Sequence, residues 1–273
     1  ASSKQLLMGG VVVAAIIVIM VVALATGAIQ VDWLSNIVTA VALVAAIYLW
    51  AQMYTSKLVT REEKNRLLGF IPMFISGVLF FGIFQQQFTV MTIYADVRLD
   101  RHMFGWEIPP SLVQSINPIF IVIFSAIFAT MWTKLGNRQW STPVKFGVAN
   151  IVIGISLFFF LPYSGAAANA TPMYVIILIL FLFTMAELLL SPVGNALATK
   201  VAPVAFPSRM MAVWMMAVAM GTSLAGSLAS FYNPDDAGAE NTFFISLGVV
   251  SIVLGAILLV LSRWVVKKFS TFR

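Results

Sequence analysis

Eight stretches of this chain run for about 20 residues or more with little or no charge, and each is long enough to cross the roughly 30 Å hydrocarbon core of a bilayer as a helix. They lie at 9–29, 33–54, 68–95, 109–133, 143–162, 173–199, 207–231 and 242–262. Backbone amides in hydrocarbon have no water to bond, so a helix is the form such stretches are expected to take. Composition agrees: 61% of the residues are hydrophobic and 10% charged, and the mean hydropathy is +0.98. An ordinary soluble domain is roughly a quarter charged. The expected fold class is therefore an all-α membrane protein with eight transmembrane helices, lipid being its solvent. Prolines open several of the stretches, where a missing amide hydrogen costs nothing. The long third and sixth stretches are expected to tilt or to extend past the membrane.

The charges sort by side. With the N-terminus inside, every one of the 16 basic residues except Arg98 and Arg101 falls in an inner segment. The outer loops hold Asp32, Asp96, Asp100, Glu107, Asp235, Asp236 and Glu240. This is the positive-inside pattern, and it places both termini in the cytoplasm. The net charge of +6 then reads as topology and not as a nucleic-acid footprint. The first stretch has a rival reading, because Lys4, the apolar run 9–22 and Ala23-Leu24-Ala25 imitate a signal peptide with its cleavage site. The chain starts at Ala1 and not at a methionine, as expected of a fragment or a processed product.

The short turn at Asp32 makes the first two stretches an antiparallel hairpin. The most polar connector, 55–67, carries Arg61-Glu62-Glu63-Lys64 and is the best internal boundary. The expected organisation is a helical hairpin with its cytoplasmic linker over 1–67, then a six-helix bundle over 68–273. No internal sequence repeat stands out.

Chemistry is expected where polar groups interrupt the apolar stretches. Glu187 is the one charge in 173–199, and a carboxylate at midplane is costly enough to be a functional candidate by default. It suits a cation, a proton or an amine; its structural alternative is an ion pair with a basic group of another chain. Ser191 shares its helix face, and Pro192 and Gly194 are expected to loosen the helix. Gln85-Gln86-Gln87 point around most of their helix, so at least one is expected to reach a cavity, although a single glutamine is more often interhelical glue. Gln114 and Asn117 are three apart, on one face of the fourth helix. With Pro118 behind them they read equally as a kinked helix with polar glue or as a ligand-facing pair. Trp214 reads as an interface anchor or as a cavity wall. Trp33, Trp106, Trp132, Trp140 and Trp264 lie near expected boundaries and read as belt residues. Gly221, Ala225 and Ala229 form a small-residue stripe suited to close helix packing. Asn169-Ala170-Thr171 matches a glycosylation acceptor, on weak evidence.

Several classes are excluded or disfavoured. There are no cysteines and one histidine, so thiolate and multi-histidine metal sites are out, as is a disulfide framework. There is no phosphate-binding glycine loop, no nucleophile–histidine pair and no paired catalytic carboxylates, so an enzyme is not expected.

The clusters, in their order, resemble the proton-dependent oligopeptide transporter family of the major facilitator superfamily. AELLLSPVGNALATKVAP (186–203), followed by MMAVW and GTSLAG, is similar to the family's tenth and eleventh helices. FGIFQQQFTVMTIYAD is similar to the seventh and QSINP to the eighth. The first two stretches resemble the extra helix pair that many bacterial members insert between their two six-helix halves. The resemblance implies that Glu187 receives the peptide amino terminus, that Asn117 contacts the peptide and that Trp214 is a binding-site tryptophan. Gln114 and Ser191 join them as candidates for the substrate site. Phe81 falls where the family often has tryptophan. Gln85 falls where many members carry a carboxylate implicated in proton coupling, and glutamine cannot titrate. Either protonation is handled elsewhere or the coupling differs.

The family's first-half glutamate–arginine motif and lysine have no counterpart here. By the resemblance, the chain is the second bundle plus the hairpin of a proton-coupled di-/tripeptide symporter in a bacterial cytoplasmic membrane. Its implied partners are a di-/tripeptide, an N-terminal six-helix half and the bilayer; no nucleic acid and no cofactor is implied, protons being the coupling ion. The second reading is a non-transporting membrane receptor or regulatory half that binds peptide or a partner protein.

Overall fold

A computed structural model of the chain describes residues 33–103 and 105–269, together with scattered positions between 11 and 26. The order is α1 (Leu34–Thr55), α2 (Arg61–Phe84), a 3-10 turn (Gln85–Phe88), α3 (Val90–Val97), a two-residue hairpin of β1 (His102–Met103) and β2 (Trp106–Glu107), α4 (Pro110–Val113), α5 (Ile116–Leu135), α6 (Thr142–Leu157), α7 (Met173–Val201), α8 (Pro207–Ala229) and α9 (Ala237–Phe269). Among the described residues, seven helical segments are long and apolar enough to cross a membrane. They correspond to seven of the eight expected stretches; the first, 9–29, is described only at scattered positions. The chain is thus a multi-pass helical membrane protein.

Three boundaries differ from expectation. The charged run 61–64 is helix, not linker. Thr60 caps α2 by accepting from the Glu63 amide, and the Glu63 carboxylate accepts from the Thr60 amide in return, a reciprocal box that starts the helix at Arg61. The third stretch is broken at its glutamines by the 3-10 turn, after which Thr89 leaves helical geometry at φ −117°, ψ −86°. Such mid-helix tightening marks strained or functional positions. The fourth stretch is broken at Gln114 and Ser115, ahead of Pro118, which sits harmlessly in the first turn of α5. Pro192 leaves α7 uninterrupted.

Close backbone approach builds the core. α6 and α9 pack most extensively of all, and glycines face each other along their seam. A Cβ on Gly147 would meet the Gly255 carbonyl at 2.9 Å, and one on Gly154 the Gly248 carbonyl at 2.8 Å. Small residues at helix contacts are what association in lipid relies on, since apolar burial supplies little there. The expected small-residue stripe on α8 plays that part: Gly221 abuts the Phe81 Cβ and the Val78 carbonyl of α2. α1 leans on α8 through a polar seam, with Ser223 donating to the Ser35 carbonyl at 2.5 Å and Ser227 to Asn36 at 2.8 Å. Its other side, with Val41, Val44 and Ile47, is exposed.

The two ends of the bundle are tied differently. At the basic end, Glu63 accepts from the Val204 amide at 2.8 Å and Lys268 donates to Asn65 at 3.2 Å. At the other end, Arg98 and Glu240 form a buried pair at 2.9 Å, their side chains 6% and 0% exposed. Glu240 also accepts from Tyr232 and from the Gly165 amide, and Arg98 donates to the carbonyls of Ala166 and Pro234. Burial, with the Glu240 charge beside it, pushes the Tyr232 hydroxyl well above its ordinary pKa. Thr171, fully buried, bonds Tyr94, and Asn169 takes a left-handed φ of 58°, so the 169–171 tripeptide is structural. Arg101, the other basic exception on this side, pairs with Glu107 at 2.9 Å.

Removing one member of a buried ion pair strands the other charge. Glu240→Leu is therefore expected to cost about 3–5 kcal/mol, read as a lowered unfolding midpoint in detergent. Adding Arg98→Met should recover part of the loss. Additive losses would show that the two side chains do not act as a unit.

Candidate functional site

The site begins with a stripe on α7. Thr184, Glu187, Ser191 and Asn195 follow one another at spacings of three and four, and so lie along one helix face. Thr184 returns its hydroxyl to the Leu180 carbonyl at 2.8 Å, which frees its oxygen to accept from Asn117 on α5 at 3.0 Å. Asn117 is 3% exposed, and its side chain also lies near enough to the Glu187 carboxylate to steady it. Glu187 is half-buried, and its Oε2 is covered yet has no hydrogen-bond partner. Among the described residues, no cation comes within ion-pair distance of it. A partly open carboxylate with an unused buried oxygen, steadied by one amide, is an arrangement that can accept an ammonium or a proton.

Aromatic packing lies farther along the same helix. Trp214 on α8 donates to Asn195 at 2.8 Å. Its ring meets Phe81 at 6.2 Å, Phe70 at 6.3 Å and Phe146 at 5.9 Å. Gly194 admits the indole, since a Cβ there would clash with the Trp214 ring. With Trp214 1% exposed, the interface-anchor reading is overturned: the ring fills the space between α2, α6, α7 and α8, and the indole nitrogen is satisfied inside. Phe81, 7% exposed, packs on its face, and Phe84 stacks on Phe183 of α7 at 6.1 Å.

The three glutamines have three fates. Gln85 is half-buried and donates to Thr222 of α8 at 3.0 Å. Gln86 is interhelical glue, donating to the Gly82 and Ala225 carbonyls and accepting from Thr89. Gln87 is 1% exposed, and neither amide atom has a partner. It borders a small void that it shares with Gln114, Met91 and Leu180.

Gln114 and Asn117 part company. α-Helical bonding lapses at Gln114 and Ser115, yet both keep helical dihedrals and the Asn117 amide donates to the Gln114 carbonyl at 3.3 Å, so the two side chains differ in their partners. Gln114 donates to Thr92 of α3, while Asn117 turns to α7. The structure thus brings together Glu187 and Asn117, and separately Phe81 and Trp214. Ser191 lies half-buried on the α7 stripe between the two pairs. Gln85 and Gln114 are held by threonines of other helices. Sequence reasoning passed over Thr184, Asn195 and Thr222. The first two carried a signal, since they extend the Glu187–Ser191 face by one turn in each direction.

Comparison with known proteins follows the same lines. The POT family model, PTR2, matches residues 7–245. An uncharacterized transporter of Bacillus subtilis, YclF, is 36% identical over 244 residues, covering 89% of this chain and 49% of that protein. A di-/tripeptide transporter of Lactococcus lactis subsp. cremoris is 36% identical over 246 residues, covering 87% and 48%. Among solved structures, a POT family transporter in complex with 5-aminolevulinic acid superposes with a TM-score of 0.83 at 35% identity, over 96% of this chain and 54% of that one. A peptide transporter POT in complex with sulfate gives 0.85 at 30% identity, over 97% and 54%. The chain spans about half the length of the curated relatives it matches. With a match through most of its length, the chain belongs to the POT family.

Proposed function

We propose that this chain is the C-terminal half of a proton-coupled di-/tripeptide symporter that works by alternating access and needs an N-terminal six-helix half. The observation that carries the reading is Glu187, a half-open carboxylate with an unused buried oxygen, held beside Asn117 inside an apolar bundle. The relatives support it, one being a di-/tripeptide transporter of which this chain matches about half. In this reading the peptide ammonium docks on Glu187 and the Asn117 amide helps to orient it. Trp214 and Phe81 form the apolar ground behind the α7 stripe, and Ser191, Gln85 and Gln114 extend the polar lining. The site meets the first half near midplane, and access alternates as the two bundles rock. No cofactor is needed, and the proton is the coupling ion.

The same proposal carries the layout. A helical hairpin and its linker precede a six-helix bundle that begins with α2 at Arg61, giving eight crossings. Both termini face the cytoplasm of a bacterial cell, as the concentration of basic residues at one end of the bundle favours. One observation favours the second reading, a non-transporting receptor or regulatory half: Gln85, where the resemblance calls for an acid, cannot carry a proton.

Glu187→Gln keeps size and hydrogen bonding but removes the charge. In the assembled transporter it should weaken peptide binding by about 1.5–3 kcal/mol, or about ten- to a hundredfold. Peptides with a blocked amino terminus should lose much less. Equal losses for free and blocked peptides would assign Glu187 a structural role. Gln85→Glu should add a titrating group and so change the pH dependence of uptake. An unchanged profile would leave coupling independent of this position.

A further inference from the structure

At the basic end of the bundle, Lys145 in the second turn of α6 is 6% exposed and carries a charge without a counter-charge. Among the described residues, no carboxylate comes within ion-pair distance of it. Its ammonium donates to the Gln139 side-chain oxygen at 2.6 Å and rests 3.9 Å from the centre of the Trp132 ring. The charge that acts on it is another cation, Lys200 at the end of α7. Beside it, the indole Nε1 of Trp132 is buried with no acceptor. Two like charges and an unused donor therefore converge where α5, α6 and α7 meet. Buried charges are ordinarily paired, and a buried donor left unbonded costs free energy. Neither rule is met by protein groups here, and both would be met by one bound anion.

We infer that this notch between α5, α6 and α7 is a phosphate site, filled by the phosphodiester of an anionic phospholipid. Its oxygens would accept from the Trp132 indole and from the free hydrogens of Lys145, with Lys200 adding a second attractive charge. The surroundings favour a lipid over free phosphate. Trp140 stands 6.2 Å from Trp132 and is exposed, as a residue at headgroup depth would be. Lys134 follows on α5, and from there an open apolar groove runs along Met131 and Ile127, where an acyl chain can lie. Basic pockets between membrane helices are known to select anionic headgroups. A zwitterionic lipid offers the same phosphate but brings a cation that the two lysines repel.

The test is native mass spectrometry of the full chain in neutral detergent, with phosphatidylglycerol, phosphatidylcholine or inorganic phosphate as probes. Phosphatidylglycerol should be retained in preference to phosphatidylcholine, and excess inorganic phosphate should not displace it. Lys200→Gln should lower retention about fivefold, as expected for one cation at a membrane surface. Trp132→Phe, which keeps a ring beneath Lys145 but removes the N–H, should lower it as well. Neither variant should alter phosphatidylcholine retention or the thermal unfolding midpoint. Equal retention of the two lipids, or wild-type retention by both variants, would overturn the site. Displacement by inorganic phosphate would overturn the lipid as its occupant.

Discussion

Hydrocarbon offers no hydrogen bonds, and everything else in this protein answers to that. The backbone meets the demand by closing its bonds within helices, and a polar side chain must find a partner on a neighbouring helix or face an aqueous cavity. Most of the polar groups here take the first course. Gln86 bonds α8, Asn150 of α6 bonds Ser76 of α2 at 2.7 Å, and Ser251 of α9 bonds the Asn150 carbonyl at 2.8 Å. Against that background the groups left over are informative. Glu187 keeps an unbonded carboxylate oxygen, Gln87 an unbonded amide and Trp132 an unbonded indole N–H, while Asn150 bonds through its amide nitrogen but not its oxygen. The cost of leaving such groups unbonded is tolerable only where something else supplies the bond for part of the time.

How each end of the bundle is tied bears on how it could move. At the acidic end, the Arg98–Glu240 pair gathers the end of α3, the 164–171 loop, the 230–236 loop and the start of α9 into one buried network. None of its buried side-chain nitrogens and oxygens lacks a partner, the condition under which a buried pair can rigidify instead of merely costing desolvation. At the basic end the ties are single hydrogen bonds to Glu63 and Asn65.

Much of this was legible in the residues, and the reason is specific. Bilayer thickness imposes a length on each apolar stretch, so seven helices appear near the expected places. The charge asymmetry named Arg98 and Arg101 as exceptions, and both are paired with acids at their own end of the bundle. What was hidden depended on contacts distant in sequence. Arg98 and Glu240 are 142 residues apart, and no local spacing reveals them. The breaks at Gln85 and Gln114 were obscured because polarity alone does not distort a helix, while Pro118, the residue that usually does, sits in a harmless first turn. Arg61-Glu62-Glu63-Lys64 looked like a linker because charge density resembles a loop, yet acids are favoured at a helix N-terminus. Trp214 was ambiguous because an indole serves either an interface or a core; Asn195, on the far side of the packing, decides it.

In the function proposed above, this chain holds one wall of a peptide site and needs a second bundle to carry substrate across. Uptake of a labelled dipeptide into proteoliposomes under an imposed inward proton gradient tests it most directly, comparing the chain alone with the chain co-reconstituted with an N-terminal six-helix half. The account predicts proton-driven uptake by the pair and none by the chain alone. Uptake by the chain alone at the rate of the pair would contradict it.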